Sequence, residues 1–164
     1  MSKPQRWKPS VTVAAIVEHE GRFLIVEEAT REGLRLNNPA GHLDPGESLI
    51  EAVQRETLEE TGCTFTPESL VGVYMSRFRR TDGEEVTYLR VAFAGQVSER
   101  ALTLPLDDGI VQVLWMTPQE LRASAERHRS PLVLQCLDDH LAGHRFPLEL
   151  LKTHPSLYDP WIPG

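Results

Sequence analysis

Residues 41–63 read GHLDPGESLIEAVQRETLEETGC, and this stretch decides the fold. Asp44-Pro45-Gly46 is a turn signal. Ser48 with Glu51 three residues on is a capping-box pattern, and Gly62 is a stop signal, so a helix is expected from Ser48 to Thr61. At about 100° per residue, Leu49, Ala52 and Val53 form one apolar stripe. Carried one turn further, the stripe reaches Glu56, Glu59 and Glu60. Glu56 and Glu60 fall within roughly 20° of the direction set by Leu49. The face meant for the core therefore changes from aliphatic to carboxylate halfway along. Carboxylates at i, i+3 and i+4 repel one another. They sit at the helix end where the dipole disfavours anions, and burial adds a desolvation cost. Several local rules broken in one place point to a functional site. A hard divalent cation with oxygen ligands is the simplest compensation, and a solvated acidic face is the plainer alternative.

Outward from this helix, Val11–Val17 and Phe23–Val26 flank Glu20-Gly21 and read as a hairpin. Residues 37–41, Asn-Asn-Pro-Ala-Gly, read as a break in regular structure. Strands are expected at Leu70–Phe78 and Val86–Val97, joined across Thr81-Asp82-Gly83, and at Val111–Met116. Thr117-Pro118 starts a short helix, and Ser130-Pro131 starts a last helix ending near Gly143. The tail from His154 reads as irregular. Without regular βαβ alternation, this is a mixed sheet flanked by helices, an α+β domain.

The chain has 164 residues and a formal net charge of −7. One ordinary domain fits that length. The acidic balance argues against a long nucleic acid as partner, but not against a small phosphorylated ligand met through a cation. No apolar run is long enough for a membrane span, and residues 1–10 lack the apolar core of a secretory signal, so a cytoplasmic protein is expected. Cys63 and Cys136 make no metal-ligand spacing and are read as reduced, buried hydrophobes.

The stretch also resembles the Nudix box, G-x5-E-x7-R-E-U-x-E-E-x-G-U. Its fixed positions are filled by Gly41, Glu47, Arg55, Glu56, Glu59, Glu60 and Gly62. A chance match in one chain is on the order of one in a million. Thr57 and Cys63 stand where aliphatic residues are commoner. Val11–Ala15, Asn38–Leu43, Arg129–Leu132 and Phe146–Glu149 look similar to the NudJ-type phosphatases of that family. The likeness covers roughly residues 10–151. It sets a Nudix-like α/β/α sandwich over residues 10–152, with a short extension (1–9) and a tail (153–164).

This resemblance implies a loop-helix-loop that binds Mg²⁺, with Mn²⁺ able to substitute, and positions a diphosphate. Glu56, Glu59 and Glu60 are then the metal ligands, joined by the Gly41 carbonyl. Arg55 orients Glu59, and Glu47 holds Arg55. Glu59 or Glu60 is the expected base, because Gln112 stands where many relatives carry a Glu; Asp107 and Asp108 are nearby alternatives. Substrate contacts are assigned to Arg90, Asn38, His42 and Leu36. For Arg90, a lone cation in an apolar strand, a substrate phosphate and an internal carboxylate are both open as partner. Leu36 stands where NudJ-like chains carry Trp, which implies looser base selection.

The activity so implied is hydrolysis of nucleoside tri- and diphosphates with release of orthophosphate, and of the pyrophosphate of the thiamine pyrimidine precursor. The partner is a small nucleotide or pyrophosphate ester, and the enzyme a monomer or homodimer. Hydrolysis of ADP-ribose or a dinucleoside polyphosphate is the alternative, but residues 76–80 lack the proline and tyrosine common in those enzymes. A non-hydrolysing nucleotide sensor usually loses a box carboxylate, and this chain keeps all of them.

Overall fold

Alternation along the first strand sets the architecture. In the computed structural model, which describes residues 6–101 and 103–159, Ser10–Ile16 forms β1. Val13 and Ala15, with the following Val17, face one apolar cluster, while Ala14 and Ile16 face another. A strand buried on both faces belongs in the middle of a sheet. β1 accordingly lies between β5 (Ala40–His42), antiparallel to it, and β7 (Glu85–Val97), parallel to it. β6 (Phe65–Arg79) completes the order β5-β1-β7-β6. A second sheet is built on β3 (Arg22–Thr30), which pairs antiparallel with β2 (Glu18–His19), β4 (Gly33–Asn37) and β8 (Ile110–Met116).

One helix, α1 (Leu49–Thr61), lays Ala52 and Val53 on Val13, Ala15, Leu24, Val91 and Phe93. On the opposite side, α2 (Pro118–Ala123) and α3 (Leu132–Leu141) bring Leu121, Leu132, Cys136 and Leu137 against Ala14, Ile16, Phe23, Ile25 and Ala92. The result is a mixed α+β sandwich, helix on sheets on helices. Both cysteines are free and buried, as expected. Among the described residues, no helix is long and apolar enough to cross a membrane.

Three expectations are corrected. The first strand and Phe23–Val26 are not a hairpin: the chain changes sheets at Val17, and only Glu18-His19 turns back on β3, through Glu20 and Gly21 at positive φ. Residues 37–41 are not wholly irregular, since Ala40–His42 adds an edge strand to β1. The Asn-Pro composition conceals it, but the Ala15 amide also bonds the Pro39 carbonyl, which ties this buried backbone to β1 one residue earlier. β6 begins at Phe65, not Leu70, with register shifts around Pro67–Ser69 and Leu70–Gly72. Pro67 lacks the donor a regular ladder needs. In the tail, Pro155–Leu157 makes one 3₁₀ turn, and Tyr158 donates to Glu51 Oε2 at 2.9 Å. The rest of the tail, 160–164, and residues 1–5 of the extension lie outside the described residues.

Candidate active site

Helix α1 starts where its capping box places it. Ser48 Oγ accepts the Glu51 amide at 3.2 Å, and Glu51 Oε2 accepts the Ser48 amide at 2.7 Å. It stops at Gly62, whose φ of 72° is the left-handed region that favours glycine. Its inner face continues from Ala52 and Val53 to Glu56, Thr57, Glu60 and Thr61, all buried. The threonines are cheap there, because Thr57 donates to the Val53 carbonyl and Thr61 to the Thr57 carbonyl. The carboxylates are not. Glu56 is 8% exposed and Glu60 7%.

Arg55 organises one side of the cluster. Its Nε and Nη2 grip both oxygens of Glu47 at 2.9 and 2.7 Å, while Nη1 reaches Glu56 at 2.9 Å and Glu59 at 3.1 Å. Nη2 also donates to the His42 carbonyl at 3.0 Å. The Arg55 fork holds the Glu47 carboxyl below the usual carboxylate range. Glu56 is still pushed up, because burial outweighs its bond to Arg55.

Glu60 has no such cation among the described residues. Its Oε2 accepts the Ala40 amide at 3.0 Å. Burial pushes its carboxyl up to about 9, against the pull of that amide, and the charges of Glu28, Glu56 and Asp107 add to the rise. Gly41 forms the floor: a Cβ there would lie 2.1 Å from the Glu56 carboxyl carbon. The loop before β8 closes the site, with the Asp107 amide donating to the Glu59 carbonyl at 2.9 Å. Ligand atoms of Glu56, Glu59 and Asp107 all lie within 4.8 Å of one another. Carboxylates crowded in this way, from buried Glu56 to exposed Asp107, fit a hard divalent cation.

The remaining sequence candidates divide. Asn38 is buried, with its Oδ1 unpartnered. His42 is exposed, and its ring lies against Tyr88 at 5.9 Å. Arg90 is 6% exposed and reaches Asn37 Oδ1 at 3.4 Å. Among the described residues it forms no ion pair, so the internal carboxylate left open as its partner is not there. Leu36 is corrected outright. It is 0% exposed and packed in the apolar core, with no surface to offer a substrate, so the looser base selection inferred from it loses its footing. Gln112 is occupied by Glu27 at 2.9 Å.

Sequence reasoning missed Glu28 and Asn37, and put Asp107 behind the helix carboxylates. Asn37 Nδ2 donates to Glu28 Oε1 at 3.2 Å, and Arg129 Nε lies 3.8 Å from Glu28 Oε2. The available signal was Glu27-Glu28 following directly on an apolar strand, a second place where carboxylates continue a buried run.

A family model for the NUDIX domain matches residues 6–136. Phosphatase NudJ of Escherichia coli strain K12 is 36% identical over 145 residues, which cover 88% of this chain and 92% of that protein. The structure of a NUDIX hydrolase from Nitrosomonas europaea superposes with a TM-score of 0.83 at 48% identity, covering 90% of this chain and 98% of that one. A MutT protein from Methanosarcina mazei Go1 shares the fold, with a TM-score of 0.66 at 24% identity over 86% of this chain and all of its own. The chain belongs to the Nudix hydrolases, enzymes that act on phosphoanhydride bonds.

Proposed function

We propose that this protein is a divalent-metal-dependent phosphohydrolase that removes orthophosphate from nucleoside tri- and diphosphates. The observation that carries the reading is the carboxylate cluster of Glu56, Glu59 and Asp107, with Glu56 buried and the buried Glu60 next to it on α1, organised by Arg55 and floored by Gly41. The likeness to a NudJ phosphatase supports orthophosphate, not pyrophosphate, as the product. Glu56, Glu59 and Asp107, with Glu60 and the Gly41 carbonyl, would hold Mg²⁺ or Mn²⁺. The cation supplies charge neutralisation at the phosphate oxygens and acidifies water.

The chain's own groups do the rest. Arg55 fixes Glu56 and Glu59 in place, so no reorganisation is needed when substrate arrives. Glu59 or Glu60, ionised once the cation is bound, takes the proton from the attacking water. Water oxygen bonds to the terminal phosphorus, the bridging P–O bond breaks, and the nucleotide leaves one phosphate shorter. The same reading places the enzyme in the cytoplasm with its nucleotide substrates.

Chromatography of ATP, GTP and CTP digests tests this. Orthophosphate and the nucleoside diphosphate are the expected first products, followed by the monophosphate. Pyrophosphate with monophosphate as first products overturns the orthophosphate assignment, and full turnover in excess EDTA overturns the metal requirement.

A further inference from the structure

Among the described residues, Arg90 is a buried cation without a counter-ion. It stands on β7, opposite Tyr74 on β6 and Thr12 on β1. Its Nη2 bond to Asn37 Oδ1 is long at 3.4 Å, while Nε and Nη1 are buried with no partner among the described residues. Those two nitrogens carry three of the five N–H donors of a guanidinium. The nearest acids are each one residue removed: Glu28 takes the other end of Asn37, and Asp139 takes the Tyr74 hydroxyl at 2.8 Å. The Cys136 thiol lies beside the guanidinium, a weak acceptor that closes no hydrogen bond on either free nitrogen, and burial keeps it uncharged. A desolvated, unpaired cation is costly and persists where a ligand completes it.

Its position says which part of a ligand. Asn37 joins Arg90 to Glu28, and three residues on, the Ala40 amide donates to Glu60 Oε2. A polar path therefore leads from the carboxylate cluster to Arg90. Apart from Thr12, the buried side chains around it on this face are apolar or aromatic, among them Ala14, Tyr74 and Ala92 of the sheet and Cys136 of α3. Apolar walls with a few unfilled donors suit a flat ring better than a phosphate.

We propose that Arg90, positioned by Asn37, reads the ring of the substrate by donating to a carbonyl or ring-nitrogen acceptor of a heteroaromatic base, while the phosphates lie at α1. This rests on the nucleotide reading above, and its test separates the two. Arg90→Met keeps the stem and removes the unpaired cation; Arg90→Lys keeps a charge without the planar fork. Both are compared with wild type on GTP and CTP, and on inorganic tripolyphosphate, which has no ring, as substrate or competitor.

Arg90→Met is expected to lower kcat/KM for the nucleoside triphosphates tenfold or more, mainly through KM, with Arg90→Lys in between. Tripolyphosphate should be affected less than twofold, and the Tm of Arg90→Met should equal or exceed that of wild type. Equal losses with and without the ring assign Arg90 to phosphate and overturn the proposal. A lowered Tm with unchanged kinetics shows a structural role and also overturns it. Calorimetric binding of guanosine and cytidine monophosphates reads the ring contact without turnover. If wild type hydrolyses no triphosphate but binds these tenfold more tightly than Arg90→Met, the hydrolase reading fails and the ring contact stands. Equal binding by both proteins overturns the ring contact.

Discussion

A methyl group on Gly41 has nowhere to go, since the Glu56 carboxylate already occupies its place. Gly41→Ala should displace that carboxylate by an ångström or more. A shift of that size at a catalytic group costs on the order of a hundredfold in kcat/KM, and the far-UV circular dichroism should not change. Near-normal turnover by Gly41→Ala would show that the contact is soft. Glu60 lends itself to the opposite experiment. Glu56 is partly compensated by Arg55, whereas Glu60 has only the Ala40 amide and burial holds it protonated, so at pH 7–8 metal-free folding must take up a proton there and removing the carboxyl should stabilise the metal-free protein. Glu60→Gln is expected to gain about 1 kcal/mol at pH 7–8, roughly 2–4 °C in Tm for a domain of this size. The Tm rise on adding Mg²⁺ should shrink in the variant. An unchanged Mg²⁺ shift counts against Glu60 as a ligand. Glu56, Glu60 and the Arg55–Glu47 pair were legible because helical periodicity and fixed spacing hold them in one segment. Asp107, Glu28 and Asn37 come from other segments, and no local pattern says that three loops and strands converge.

Among the elements, α1 was read almost to the residue, because its cap, stripe and stop signal agree. Its first turn is tied twice, by Ser48 and by the Tyr158 hydroxyl on Glu51. Ser48→Ala should cost about 1 kcal/mol, seen as a Tm drop of roughly 2–4 °C. A loss no larger than that of an exposed control such as Thr81→Ala would show that the cap contributes little. The strands were read less well for a physical reason. Alternation reports which faces of a strand are buried, not which strand lies beside it. β1 is apolar on both faces, which marks a central strand, yet its neighbour in sequence suggested a hairpin. Short β5 carries too few residues for any period to show.

The molecule as a whole carries a built-in acid sensitivity. His140 is packed against the edge of the Phe23 ring, and its Nε2 lies 2.8 Å from Glu18 Oε2 and 3.1 Å from Arg145 Nη2. Burial pushes its imidazole below the ordinary value, with Arg145 adding to the effect and Glu18 opposing it. A depressed folded value means that the unfolded chain binds the proton first. The His140 contribution to stability is therefore full above about pH 6.5 and falls as pH drops from there toward the folded value. His140→Phe should lose less Tm than wild type between pH 7.5 and 5.5; parallel curves would clear His140 of the effect. His128, lowered in the same sense, remains in both proteins and cancels. The parallel pairing of β1 with β7 acts on another timescale. Roughly 80 residues separate the end of β1 from the end of β7. At ribosomal rates of about 5–20 residues per second, the strand made first waits roughly 4–16 s for its central neighbour. β5 and α1 emerge earlier, but until then the edge that β7 covers stays open, so the nascent chain, rather than the finished enzyme, is the form most exposed to aggregation.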